Sequence, residues 1–361
     1  MNGSKRNQVK INLVGMVWVA GEQNIKVDSE RFIMWKYILK RILTSVVILF
    51  FVSLIIYAII RCIPTSYIET LARERASLPG SKSYTEWLEQ LKAMYGMDSG
   101  IIEGFFRWLA SAVRGEFGDS WYFNVPVTEK FSRVIWDSFY LGVVSFVLQI
   151  GIAIPLGILS ARKQYSRTDY TITVIALIGI SLPGFFFATI LKLIFSINLG
   201  WFDLYGKVGR YYDQLDAWGK FLDVAAHFVL PIATLTIISI GSLMRYTRTN
   251  MLEVLNSDFI RTARAKGLSE STVINKHAFR NTLIPIVTII GGTLPGLFAG
   301  AMITETLFQI PGIGYTSYMA MTNGDIPFFM FYMTFMAALT LMGNLISDIL
   351  YAVVDPRVRV G

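Results

Sequence analysis

Cysteine and histidine are nearly missing from this 361-residue chain. One cysteine, Cys62, excludes an intramolecular disulfide framework and a multi-cysteine metal site, and two histidines, His227 and His277, leave little for metal ligation or acid–base chemistry. Charge is scarce too: 16% of residues are Asp, Glu, Lys or Arg, against about 25% in soluble domains. No Gly-x-x-x-x-Gly-Lys-Ser/Thr run is present, so the chain has no phosphate-cradling loop of its own, and His-Glu-x-x-His, Gly-x-Ser-x-Gly and paired-Cys zinc spacings are absent as well. Energy for any uphill task must therefore come from another chain or from an ion gradient.

What is present is apolar surface. Hydrophobic residues make up 53% of the chain and mean hydropathy is +0.50. Counting glycine lifts the apolar share to roughly 61%, well above the 45–50% of soluble domains. That excludes a soluble enzyme, while 14% aromatic residues exclude a disordered or collagen-like chain. The composition is that of an integral membrane protein.

A spanning helix needs about 20 mostly apolar residues, since about 30 Å of hydrocarbon is crossed at 1.5 Å per residue. Residues 42–60, 138–161, 222–244, 283–304 and 329–354 meet this, and residues 170–190, continuing weakly to 199, form a sixth span broken by Pro183-Gly184. A Pro-Gly break survives in lipid only where neighbours resatisfy the freed backbone groups, so the third span is expected against protein. With the amino terminus inside, the inner connections hold Arg162, Lys163, Arg167, Arg245, Arg248, Arg261, Arg264, Lys266, Lys276, Arg280, Arg357 and Arg359, and the two short outer ones only Lys207, Arg210 and Lys220. The basic residues therefore predict both termini on the cytoplasmic side. The formal charge of +8 is then topology and contact with anionic lipid, with nothing that points to nucleic acid.

The organisation expected is an N-terminal extension over 1–33 of no evident role, a first span with its cytoplasmic flank over 34–61, an extracytoplasmic segment over 62–135, a core of five spans over 136–354 and a cytoplasmic tail over 355–361. The first span is too long for a signal-peptide core and no small-residue cleavage site follows it, so it is expected to remain as an anchor. In the outer segment, Trp87, Leu88, Leu91 and Met94, and then Phe105, Trp108 and Leu109, form helical stripes around a turn at Tyr95-Gly96-Met97-Asp98. The second outer connection carries Trp201, Phe202, Tyr205, Tyr211, Tyr212 and Trp218, an interfacial composition.

The inner connection 245–282 is the most informative stretch. Ser257 or Asp258 can cap a short helix, Gly267 supplies a left-handed stop, and Ser269 caps a second helix toward Pro285. Ala263 and Ala265 allow close approach to another protein's groove, and Arg261, Arg264 and Lys266 lend it charge. The same pattern fits a basic connector lying on lipid headgroups.

The run from Phe259 to Leu268, with His277-Ala278-Phe279-Arg280-Asn281, resembles the cytoplasmic coupling loop of binding-protein-dependent ABC importer permeases, in the form used by the oligopeptide, dipeptide and nickel branch. Arg261-Thr262-Ala263 stands where the broad motif has Glu-Ala-Ala, Gly267 matches its glycine, and Ile284-Pro285 stands farther from that glycine than the motif's closing Leu-Pro. Arg114-Gly115-Glu116-Phe117-Gly118-Asp119-Ser120, Ser181-Leu182-Pro183, Leu199-Gly200-Trp201, Glu305-Thr306-Leu307-Phe308 and Pro311-Gly312-Ile313-Gly314 extend the resemblance over nearly all the chain from Met34; Ile63-Pro64-Thr65-Ser66 departs where the branch often has Pro-Gly-Asp-Pro. The resemblance implies an all-α type I permease fold with six transmembrane helices in the inner (plasma) membrane. It also implies peptide import without enzymatic activity. The partners implied are a second homologous permease, two ATPase subunits and an extracytoplasmic binding protein; ATP and Mg would sit on the ATPases, and no cofactor on this chain. Asp258, Arg261, Thr262, Ala263, Arg264, Ala265, Lys266, Gly267, Leu268 and Ser269 would carry the ATPase contact. Nickel or a chelated metal is the alternative cargo. A secondary transporter would need more intramembrane ionisable groups than Asp348, and an intramembrane hydrolase would need a nucleophile–base pair that the spans lack.

Other residues invite packing or pathway readings. Gly292, Gly296 and Gly300 are spaced by four on one face of the fifth span, which fits tight helix packing and also a seam that moves; Gly151 and Gly157 with Pro155 read likewise. Ser181 and Pro183 mark the break in the third span. Glu305 is expected as a helix-end carboxylate near water, Lys192 as a snorkelling cation, and Asn344 and Asp348 in buried structural hydrogen bonds. His277 is expected to pack beside Arg280, and His227 to lack ligand-like neighbours.

Overall fold

The computed structural model describes residues 36, 38–62, 66–94 and 99–354. The 1–33 extension, the Pro64 departure, the turn expected at Tyr95-Gly96-Met97-Asp98 and the tail from Asp355 lie outside the described residues. Those described are helical, with no strand and a lone bridge between Asp119 and Pro126.

Four helices are long and apolar enough to cross a membrane alone: α1 (Ile38–Cys62), α5 (Val127–Arg162), α8 (Ala217–Leu255) and α14 (Ile326–Val354). Two bent pairs bring the spans to the six expected: α6 (Arg167–Ser181) with α7 (Gly184–Leu191) and its π-helical continuation Lys192–Asn198, bent by 102°, and Glu270–Leu283 with Pro285–Phe298, bent by 49°. The third span breaks where Leu182, extended at φ −92° and ψ 137°, precedes Pro183, because proline disfavours helical geometry in the residue before it.

Several boundaries moved. α5 starts at Val127 rather than 138, since its polar first turns continue the helix outside the apolar run, and α8 runs to Leu255 rather than 244. At 1.5 Å per residue these helices measure about 54 and 58 Å, so both protrude well beyond about 30 Å of hydrocarbon. The fifth span ends earlier, at Phe298 rather than 304.

α5 and α8 form the centre. A methyl on Gly157 of α5 would come within 2.8 Å of the Met244 carbonyl of α8, so the two backbones meet where only hydrogen fits. Ala153, Ala176, Met244 and Ile286 bring α5, α6, α8 and α11 (Phe279–Thr293) into one buried cluster. The expectation that the third span lies against protein holds for one face only: Ala176 and Gly179 pack on α8, whereas Val174, Ile175, Ile178, Phe185 and Phe186 are exposed apolar surface in this chain. Beyond the spans, Ile68 and Ala72 of α2 (Ser66–Ala76) and Leu91 of α3 (Tyr84–Met94) bury together with Trp121. α4 (Ile101–Val113) follows, and α12 (Met302–Phe308) and α13 (Ile313–Thr322) make a corner between the last two spans.

Candidate functional site

The chain crosses back and forth, so the ends of α1 and α7 and the starts of α5, α8 and α14 share one face and the segment after α8 lies on the other. There α9 (Asp258–Ala265) forms, with Ser257 in the N-cap position but its hydroxyl donating to Val254 O (2.6 Å) instead of capping. The helix stops at Gly267, whose φ of +75° is the left-handed stop expected. Ser269 Oγ then accepts from Thr272 N, and a short turn, α10 (Glu270–Thr272), passes into π-helical Val273–Ala278.

α9 has two faces. Ile260 and Ala263 are buried against Met251, Val273, Ile274 and Ala278 of their own chain. Asp258, Phe259, Arg261, Thr262, Arg264, Ala265, Lys266, Gly267, Leu268 and Ser269 are exposed. Ala263 therefore does not offer a groove contact: its small side chain lets α9 sit close to the turn behind it, and Ala265 is the one turned outward. Arg264 forks onto Glu270 (2.8 and 3.1 Å), closing the glycine turn, while Arg261 pairs only loosely with Asp258 at 3.5 Å and both stay exposed.

Just above, Arg248 of α8 donates from Nε and Nη2 to the Asp169 carboxylate (2.9 and 2.8 Å), and Ser160 of α5 donates to the same carboxylate. Asp169 is nearly inaccessible, so the pair ties together the end of α5, the start of α6 and the last third of α8 at the root of the segment bearing α9. The sequence carried no local signal for it, because Arg248 read as one more inner basic residue. Removing one partner of such a buried pair typically costs about 3–5 kcal/mol.

Between α5, α11 and α14 lies a cavity of about 500 Å³. Its polar lining is Ser138, Ser145, Gln149, Ser239, Thr293, Thr340 and Asn344, and no charged side chain is among its described lining residues. Ser145, Thr293 and Thr340 hydroxyls donate to carbonyls of their own helices, and Gln149 Nε2 donates to Ser239 O (3.0 Å). Those hydroxyls keep oxygen lone pairs for a guest, and the Asn344 side chain offers both amide donors and a carbonyl acceptor. Asn344 is exposed to this space rather than held in a buried hydrogen bond, which corrects the expectation.

All three glycines of the fifth span line the cavity, but not as one helical face. Gly292 packs on Ser347 of α14, Gly296 lies in a 3₁₀ turn (Leu294–Phe298) with open space beside it, and Gly300 is left-handed at φ +78° beyond the helix. On α5, Gly157 is packed and Gly151 has nothing near it. Ser181 and Pro183 flank the bend of the third span, away from the cavity.

Glu305 is not near water. It is fully buried on α12, accepting from Ser138 Oγ (2.7 Å), Ala301 N (2.9 Å) and Tyr315 N (3.0 Å), while Ser138 Oγ accepts from Ile313 N (2.7 Å). Burial pushes the carboxyl above its usual range against those hydrogen bonds, which pull it down. Asp325 repeats the device at the foot of α14, accepting from Ser120 Oγ and the amides of Trp121, Tyr122 and Phe328, with burial likewise raising its carboxyl.

Lys192 is buried rather than snorkelling: Nζ donates to Leu307 O (2.6 Å) and lies 3.8 Å from the Tyr205 ring centroid, tying the third span to α12. Asp348 pairs with Arg41 of α1 at 3.1 Å. His277 lies half-buried in the π-helical turn. His227, expected without ligand-like neighbours, has Asp203 Oδ2 at 3.1 Å and Asp223 Oδ2 at 3.9 Å, although no group of three metal-ligating side chains forms among the described residues.

Residues 153–360 match the family described as the binding-protein-dependent transport system inner membrane component, and residues 34–123 match the N-terminal part of such membrane components. The chain is 36% identical over 324 residues to the oligopeptide transport system permease protein AppB of Bacillus subtilis, covering 90% of this chain and 99% of that protein. It is 33% identical over 342 residues to the dipeptide transport system permease protein DppB of Escherichia coli, with 90% and 99% covered. A solved chain of the MetNI methionine ABC transporter in inward facing conformations aligns at 16% identity and a TM-score of 0.45, over 62% of this chain and 97% of that one.

Proposed function

The chain belongs to the binding-protein-dependent transport family of inner membrane components, and from that premise we propose that it is a membrane permease subunit of an ATP-driven importer of oligopeptides or dipeptides. The observation that carries the reading is the match to relatives named as oligopeptide and dipeptide permeases over essentially their whole length. It is a transport subunit of the inner membrane, not an enzyme. ATP and Mg are handled by two ATPase subunits, a second permease completes the passage, and an extracytoplasmic binding protein delivers cargo.

The geometry supports a division of labour. The exposed residues of α9 and its glycine turn form the ATPase contact, and movement there reaches the spans through the Asp169–Arg248 tie. The cavity lined by Ser145, Gln149, Thr340 and Asn344, with Gly292, Gly296 and Gly300, serves as part of the passage. A neutral lining of hydroxyl and amide groups suits the N–H and C=O groups of a peptide backbone whatever the side chains attached to them. Alternating access is a two-state shift biased from the ATPase side.

Proteoliposomes holding the assembled transporter, its binding protein and internal ATP test this. ATP-dependent accumulation of labelled peptide is expected, and uptake of nickel without peptide would replace the cargo assignment. Orientation is tested by the sole cysteine: with both termini and α9 cytoplasmic, the exposed Cys62 at the end of α1 reacts with a membrane-impermeant maleimide on spheroplasts. Labelling only after permeabilisation would invert the topology.

A further inference from the structure

A second cavity, about 260 Å³, lies at the face opposite α9, between the end of α1, helix α4 and the start of α14. Its polar wall consists of Tyr57, Arg61, Ser99, Arg107, Trp108 and Ser111, with Glu116 the one acid. Ser99 Oγ and Trp108 Nε1 are buried with no hydrogen-bond partner among the described residues. An orphaned buried donor costs roughly 1–3 kcal/mol unless something outside the chain satisfies it, and here two such groups share one cavity.

The arrangement around them is built. Arg61 Nη2 donates to Ser99 O (2.5 Å) and its guanidinium lies 5.9 Å from the Tyr57 ring centroid, which fixes the charge at the rim. Trp108 stacks on the fully buried Phe105, with ring centroids 6.1 Å apart, so its N–H direction is set. A methyl at Gly104 would fall 2.3 Å from the Tyr57 hydroxyl, so glycine there lets that hydroxyl enter the site. Arg107 reaches the cavity while pairing with Glu103 at 2.8 Å on the open surface. Two guanidiniums, Arg107 shared with Glu103, and the free N–H and O–H of Trp108 and Ser99 make the pocket donor-rich, the chemistry of a phosphate or carboxylate site.

The rest of the wall is apolar: Phe117, Trp121, Ile326, Pro327 and Met330. Half donor and half hydrocarbon is the lining that fits an amphiphile. Its depth agrees. α1 has 25 residues, about 37 Å at 1.5 Å each, so Arg61 at its far end stands just past about 30 Å of hydrocarbon, at headgroup level.

We propose that this cavity binds a glycerophospholipid from the leaflet opposite α9, its headgroup phosphate accepting from Trp108 Nε1, Ser99 Oγ and Arg107 and its glycerol and first acyl carbons lying on Phe117, Ile326 and Met330. The bound lipid adds to the direct contacts of α1 with α4, where Phe50 and Tyr57 meet Phe105, and with α14, where Arg41 meets Asp348.

The test uses the assembled transporter, delipidated in detergent, with thermal unfolding read after adding short-chain phosphatidylglycerol, diacylglycerol, inorganic phosphate or a dipeptide. Phosphatidylglycerol alone is expected to raise Tm by several degrees, and native mass spectrometry to find it retained. Trp108→Phe, which keeps the ring and removes the N–H, and Arg107→Gln are each expected to lose most of that shift. An equal shift with diacylglycerol would make the binding nonspecific, an equal shift with inorganic phosphate would make this a plain anion site, and an equal shift with the dipeptide would make it a cargo site. Wild-type shifts in both variants, or no lipid retained by the wild type, would also overturn the proposal.

Discussion

The two ends of the molecule treat charge in opposite ways. At the corner opposite α9, Glu305 and Asp325 are buried and held by amides and hydroxyls that include Ser138 and Ser120 from far along the chain, so α5, α12, α13 and α14 are bound into one unit. At the other end, the charges of α9 point away from the protein, and Arg261 and Asp258 hold little besides each other. One end is finished by its own residues. The other keeps its charges exposed, its fold secured by Ile260 and Ala263 from behind and by the Asp169–Arg248 tie beside it.

Replacing Glu305 should break the contrast hardest. Glu305→Ala strands the Ser138 hydroxyl and the Ala301 and Tyr315 amides, and a loss of about 3 kcal/mol or more is expected in thermal unfolding of the assembled transporter; wild-type stability would mean the corner does not hold itself. Next comes a pair on α9. Ala263→Asp places a carboxylate among Met251, Val273 and Ala278 and should cost about 2–3 kcal/mol. Ala265→Asp, on the exposed face, should stay within about 0.5 kcal/mol yet reduce peptide uptake per ATP hydrolysed. Equal stability of the two would erase the two-faced reading of the helix. Gly267→Ala, forced to keep φ near +75°, should cost about 1 kcal/mol. Smallest is Arg264→Gln, which opens a surface fork and should shift stability by about 0.5 kcal/mol or less.

The spans and the glycine turn were legible because their causes are local: apolar runs about 20 residues long, Pro183 after Leu182, and a glycine ending a short helix. The ends of α5 and α8 were not, since hydropathy marks where lipid stops and these helices continue into water. Glu305 was misread because its partner Ser138 is 167 residues earlier, and nothing around a carboxylate in sequence reveals a hydroxyl arriving from another helix. Ala263 and Ala265 looked equivalent as small residues; only the packing of α9 on Val273 and Ala278 separates them. Asp169 and Arg248 likewise looked like ordinary loop charges until three helices converged.

The π-helical turn Val273–Ala278 makes spacing as binding a constraint as composition. A turn wound i to i+5 holds one residue more than an α-turn, so every side chain from Phe279 onward points about 100° away from where an uninterrupted helix would aim it. The stretch from Gly267 to Pro285 is a phase-setter: it counts out how far the fifth span is turned relative to α9. Removing one residue there, Asn275 for instance, would let the turn close to ordinary α-helix and leave Gly292 and Gly296 facing the cavity, whereas the same deletion in α11 would swing them about 100° away from it.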